Sequence, residues 1–158
     1  MQRLQRAPLP LFEAGRLHGL FGVRWILVAT RGRTTGRPQR VLLDVLGRDA
    51  RAETFYVQPA HGRGADWLRN AAAAGTFEAQ VGGRRFRARL RDASGPEGDA
   101  ALLAFVRRHP LYSRIVATIV GRRGSLGAAA LARWLAIRFP VIAIEAIADE
   151  IDGESADA

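Results

Sequence analysis

Three features of the chain predict an α+β fold: β-rich runs joined by short turns, helical patterns placed at the ends and between strands, and no regular βαβ alternation. About six short strands bury their apolar faces best in a closed or partly closed antiparallel barrel, which also hides sheet edges. Flanking helices complete the expected architecture.

Leu9 to Phe21 reads as a short helix, with Leu11, Phe12, Leu17, Leu20 and Phe21 forming an approximate apolar stripe. The period then changes to that of strands. Arg24 to Thr30 and Gln39 to Leu46 flank an arginine-rich loop as the arms of a hairpin, and Gly47 to Ala52 reads as the next turn. Glu53 to Gln58 is the third strand, stopped by Pro59, which has no ladder donor. Ala65 to Ala74 is a helix with Asp66 near its N-cap and Gly75 as its stop.

Thr76 to Val81 and Arg84 to Arg91 pair through Gly82-Gly83, a dipeptide suited to a tight primed turn. In the second of these strands Phe86, Ala88 and Leu90 share one face. Arg85, Arg87, Arg89 and Arg91 share the other, which is wet or meets an anion. After Ser94-Gly95-Pro96, helices are expected over Glu97 to Arg108, Tyr112 to Val120 and Leu126 to Arg138. Pro140 to Ile147 is a last strand, apolar on both faces and therefore central to the core. One domain over 1–148 is expected, followed by a disordered acidic tail over 149–158.

The charge is 24 basic against 15 acidic residues, or +9, and every basic residue is arginine. That balance favours anionic partners: nucleic acid, anionic lipid or an acidic small molecule. Without cysteine there is no disulfide framework, thiolate metal site or thiol nucleophile. His18, His61 and His109 have no metal-ligand spacing, and no metal is expected. The N-terminus lacks the continuous apolar run of a secretory signal, so a cytoplasmic location is expected. Leu131, Trp134 and Leu135 share a helical face that core packing and peripheral membrane contact explain equally well.

Two glycine-bearing clusters carry the chemistry. The first, Arg31 to Arg40, sets four arginines, two threonines and two glycines between strands. Glycine lets backbone N–H groups turn inward, threonine adds hydroxyl donors, and arginine offers a fork matched to phosphate or carboxylate. The second runs from His61 through Gly62, Arg63, Gly64, Ala65 and Asp66 into a helix whose N-terminus favours an anion. Trp67 and Asn70, three apart, lie on one face of it: a plate for a planar ring, or a plug in the barrel mouth, beside an amide that ligates or caps.

The succession Gly32-Arg33-Thr34-Thr35-Gly36-Arg37-Pro38, then Gly62 with Asp66-Trp67 and Asn70, then Gly82-Gly83-Arg84, resembles the deazaflavin-dependent nitroreductase family. The likeness runs from about Leu17 to Ile147. It implies a split β-barrel that binds the deazaflavin coenzyme F-420, with FMN as the alternative, and moves a hydride to a quinone, an activated enone or a nitro compound. By that resemblance Arg33, Thr34, Thr35, Gly36, Arg37 and Arg40 receive the phosphate and carboxylates of the coenzyme tail. His61, Gly62, Arg63, Gly64, Ala65 and Asp66 line the other side, and Trp67 and Asn70 lie near the ring. Tyr112 is the candidate catalytic proton donor, with half-buried packing as the competing role and water as the substitute. Split-barrel relatives include monomers and homodimers.

Two other functions fit the same residues. A non-catalytic carrier of a flavin-like or lipid-like ligand would use the same barrel. A nucleic-acid module would use the arginine face of Arg85 to Arg91, but too few aromatics are interleaved there for base stacking, so no nucleic acid is expected.

Overall fold

The structure, a computed structural model, describes residues 23–148. The expected helix over Leu9 to Phe21 and the tail over 149–158 lie outside the described residues. Seven strands form one antiparallel sheet: β1 (Trp25–Arg31), β2 (Pro38–Asp44), β3 (Gly47–Asp49), β4 (Thr54–Val57), β5 (Phe77–Val81), β6 (Arg84–Asp92) and β7 (Ile142–Ala146). Their spatial order is β2-β1-β5-β6-β7-β4-β3.

β2 and β3 therefore lie at opposite edges of the sheet although only Val45 and Leu46 separate them. That short crossing is possible only because the sheet curls until its edges meet. Val45 N–H donates to Arg24 O at 2.9 Å, prolonging the β1 side, and Leu46 N–H donates to Tyr56 O at 2.8 Å, prolonging the β4 side. A split barrel results. β3 replaces part of the turn expected over Gly47 to Ala52; its three residues have no apolar pattern, and pairing with β4 rather than propensity makes them a strand. The turn itself is held by Asp49, whose Oδ1 accepts from the N–H groups of Arg51 and Ala52.

Two apolar cores lie on the two faces of this sheet. Ile26, Val28, Phe55, Val57, Phe77, Ala79, Ala88, Ile142 and Ile144 point into the barrel. Tyr56, Val141 and Ala143 point outward, against α2 (Pro96–Arg108), α3 (Pro110–Ile119) and α4 (Ala128–Arg138). The expected two-sided burial of the last strand follows from this arrangement. At the barrel end that holds the β1–β2 loop, α1 (Asp66–Ala74) acts as a stopper, burying Trp67, Leu68 and Ala71. It stops at Gly75, whose φ of +77° leaves the helix at no steric cost. Ala65, not Asp66, is its N-cap; Asp66 is the first helical residue and its carboxylate is drawn to an arginine instead.

α2 approaches the sheet so closely that a Cβ on Gly98 would stand 2.3 Å from Ala93 O and 2.7 Å from Val141 Cβ. Beside it, Glu97 accepts two hydrogen bonds from Arg91, both 2.8 Å, and one from the Tyr56 hydroxyl at 2.5 Å. Arg91 also donates to Glu145 at 2.6 Å, so one arginine links β6, β7 and α2. The Arg91 fork, and then the Tyr56 hydroxyl, hold the Glu97 carboxyl down at about 2. Burial and the neighbouring Glu97 push the Tyr56 phenol up to about 12.

Two outcomes follow for stability. Gly98→Ala should destabilise the protein by on the order of 2 kcal/mol in urea unfolding, because the contact with fixed backbone outweighs the roughly 1 kcal/mol that alanine normally gains in a helix. Glu97 is ionised with a folded pKa depressed from 4.5, so its contribution is present above that value and is lost as pH falls toward about 2. The pair is partly solvated, with side chains 41% and 43% exposed, which limits the contribution to about 1 kcal/mol. Glu97→Gln should cost that much at neutral pH, and the gap to the unsubstituted protein should close across this acid interval.

Candidate functional site

The β1–β2 loop spans Gly32 to Arg37, since Arg31 and Pro38 are the last paired residues. Its shape is set locally. Gly32 N–H donates to Arg37 O at 2.9 Å, Gly36 N–H donates to Gly32 O at 2.8 Å, and Arg31 Nη1 donates to Gly36 O at 3.2 Å. Gly36 takes a φ of +66° to make the turn. Gly32 leaves room for a side chain instead, because a Cβ there would lie 2.4 Å from Thr35 Oγ1 and the hydroxyl would have to move.

The two clusters singled out in the sequence meet in space. Asn70 is 2% exposed, and its Oδ1 accepts from Arg33 N–H at 3.2 Å and Arg33 Nη1 at 2.9 Å. Its Nδ2 donates to Gln39 Oε1 at 3.0 Å. Asn70 thus clamps both ends of the arginine loop to α1. Arg33 also reaches Asp66 at 3.3 Å, so its charge is partly answered within the protein. Trp67, 9% exposed, gives its indole to the barrel core and thereby seats α1.

The remaining predicted residues differ in what they offer. Thr34, Thr35, Gly36, Arg37 and Arg40 are exposed along one rim, and neither Arg37 nor Arg40 meets a carboxylate among the described residues. Leading into α1, Gly62 to Gly64 form a single 3-10 turn after the exposed His61, with open space where a Cβ on Gly62 or Gly64 would stand. Ala65 is buried and contributes backbone only. Arg63 donates to Asp92 at 2.7 Å.

Tyr112 lies elsewhere. Its hydroxyl donates to Asp44 at the far end of β2, and it packs edge-on to Phe105 with ring centroids 6.2 Å apart. Burial, then the Asp44 charge, pushes the phenol well above the usual tyrosine range. Asp44 borders a mostly apolar cavity of about 150 Å³, walled by Leu42, Leu43, Gln58, Ala60, Val116, Val120, Leu135 and Phe139. Gln58 is fixed there by donating to the carbonyls of Leu135 at 3.3 Å and Phe139 at 3.1 Å, which ties the end of α4 to β4.

Sequence reasoning missed Gln39, Asp44 and Gln58. A buried asparagine needs partners, but nothing local says that Gln39 is one. Asp44 ends a strand and Gln58 follows one, and both gain their meaning from helices more than 60 residues further on. The face of Leu131, Trp134 and Leu135 is answered as core packing for the two leucines, which are buried; Trp134 is half-buried beneath the Arg138 guanidinium, 4.4 Å from its ring centroid. Most arginines of β6 are matched by carboxylates of the chain: Arg89 and Arg91 by Glu145, Arg91 also by Glu97, Arg84 by Glu53, and Arg85 by Glu78 at 4.0 Å, while Arg87 donates to the Thr76 hydroxyl at 2.7 Å.

The sequence matches no protein-family model and no curated protein. The fold does match solved structures. An F-420-H2-dependent reductase is 19% identical, with a TM-score of 0.50 over 77% of this chain and 93% of that one. A second structure, described as a domain-swapped dimer, is 16% identical at a TM-score of 0.50, covering 88% of this chain and 100% of the other. An FMN-binding protein related to pyridoxamine 5'-phosphate oxidase, from Nostoc punctiforme, is 12% identical at a TM-score of 0.44, covering 93% of this chain and 82% of that one. The reductase match gives the chain a split-barrel fold, the one expected from the resemblance.

The clamp can be tested directly. Asn70→Ala removes the one amide that joins Arg33 and Gln39 to α1, a loss of part-buried hydrogen bonds that should cost about 1–2 kcal/mol in thermal or urea unfolding. Hydrogen exchange should rise in Gly32 to Arg37 more than in β5 or β7.

Proposed function

We propose that the protein is an oxidoreductase that holds the reduced deazaflavin coenzyme F-420 and directs its hydride to an electron-poor small molecule such as a quinone, an enone or a nitro compound. One observation carries this reading: β2 joins the arginine rim at one end to the apolar cavity at the other. From Arg37 to Leu42 the strand advances about 17 Å. A ligand with an anionic tail and a flat ring can therefore use both ends of a single strand.

Bound there, the deazaflavin supplies the hydride from its central ring, and the residues of the chain position it. Arg37, Arg40, Thr34 and Thr35 take the phosphate and carboxylates, with the glycine turn at Gly62 to Gly64 and His61 opposite. Arg33, Asp66 and Asn70 hold the rim in shape, and Trp67 seats the helix behind it. The cavity is smaller than the roughly 300–1,000 Å³ of a site that encloses a whole ligand. It receives one end of the ligand, and the rest lies along β2.

Leu42, Val116, Val120 and Phe139 give the cavity apolar walls. The Tyr112 phenol, held by Asp44 and raised in pKa, keeps its proton near neutrality, so solvent is the better proton source for the reduced acceptor. The larger groove of about 590 Å³ between α2 and α4 is lined by Gly95, Asp99, Leu103, Ala132 and Arg133 and has no part of either glycine cluster in its walls. It fits this ligand less well.

Fluorescence titration with coenzyme F-420, and in parallel with FMN, checks the assignment. Saturable binding of the deazaflavin is expected, weakened about tenfold by Arg37→Ala or Arg40→Ala, which each remove one charge-assisted contact. Loss of the reduced coenzyme's absorbance only when an acceptor is added should follow. Tight retention without turnover across quinones, enones and nitro compounds would favour a carrier, and binding of neither cofactor would overturn the proposal.

A further inference from the structure

Among the described residues the large apolar side chains that stand exposed are Leu111 (62%), Ile115 (41%), Ile119 (77%) and Ile137 (73%), all in the helical layer. The first three recur every fourth residue on α3 and so form one continuous stripe. The opposite side of the same helix buries Ser113 and Ala117, while Val116 lines the cavity. α3 is therefore packed on one side and apolar on the side that faces water.

Arginines bracket this stripe. Arg107 and Arg108 precede α3, Arg122 and Arg123 follow it, and Arg114 stands on its flank. Residues 101–140 hold seven arginines and no aspartate or glutamate; with Glu97 and Asp99 in the first turn of α2, the three helices and their links still carry a net +5 of the formal +9. Arg107, Arg114, Arg123 and Arg133 are exposed, and none of the seven enters an ion pair among the described residues. On β6, by contrast, Arg84, Arg85, Arg89 and Arg91 are answered by carboxylates of the chain.

An apolar helical stripe bordered by unanswered cations has the chemistry of an interfacial helix on an anionic bilayer. The isoleucines and leucine enter the headgroup boundary and the arginines meet lipid phosphates. A second copy of the chain fits poorly, since it would bring two such cationic layers together over a stripe far short of the roughly 800 Å² per partner of a stable interface. Nucleic acid would satisfy the arginines but leave the stripe wet.

We propose that the α3 face of Leu111, Ile115 and Ile119, with its bracketing arginines, docks the protein onto membranes that carry anionic lipid. The full chain should co-sediment with vesicles of phosphatidylcholine and phosphatidylglycerol, and not with phosphatidylcholine alone, and added salt should reduce the bound fraction. Ile119→Asp and Ile115→Asp should each weaken partition about tenfold or more. Their thermal midpoints and coenzyme titrations should stay unchanged, since these side chains are exposed and outside the proposed ligand site. Absence of sedimentation with the anionic vesicles would overturn the proposal. So would vesicle or DNA binding that the aspartate variants leave intact, or a dimer that those variants dissociate without changing vesicle binding.

Discussion

Val45 and Leu46 impose the constraint from which the architecture follows. Two residues must carry the chain from one edge of a seven-stranded sheet to the other, and their N–H groups pair to opposite sides, with Arg24 and Tyr56. A flat sheet of this order would put those edges tens of ångströms apart. The curl that brings them together creates the barrel interior, gives the inward face its apolar residues and leaves the outward face near β7 and β4 to be covered by helices. It also leaves one barrel end open, which α1 fills with Trp67, Leu68 and Ala71.

The candidate site is a consequence of that filling. Once α1 is seated, Asn70 meets Arg33 and Gln39, and the β1–β2 loop is held as a rim rather than a loose hairpin. The same strand that leaves the rim as β2 ends at Asp44, beside the cavity under α3 and α4. Rim and cavity thus lie at the two ends of one strand, and a change in how α1 sits would alter both the arginine geometry and the barrel core. The buried amide is bonded on two sides, by Arg33 and by Gln39, so both its oxygen and its nitrogen are satisfied.

Charge is distributed with the same division of labour. On β6 the arginines beside Glu78 and Glu145 pair strand to strand, and Arg91 with Glu97 fastens sheet to helix. The arginines of residues 101–140 enter no ion pair among the described residues and accompany the apolar stripe of α3. Exposed ion pairs contribute little individually, so the β6 network matters mainly where Arg91 joins three elements at once.

Much of this was legible in the residues because the signals are local. Alternation along β6 and β7, Gly75 ending α1, Gly82 with its φ of +57° in the hairpin, and Pro96 opening α2 are all short-range rules and all hold. The two glycine clusters were legible as anion-friendly for the same reason. The strand at Gly47–Asp49, the clamp made by Asn70 and Gln39, the cavity floor at Gln58 and the exposure of the α3 stripe were not. Each depends on partners distant in sequence. By itself the sequence determined six of the seven strands, the helices of the described residues and which side chains carry charge, since those follow from periodicity and residue chemistry. Only the tertiary structure decided which arginines are answered, which apolar face stays in water and where rim meets cavity, because closing the barrel, and no local preference, brings those groups together.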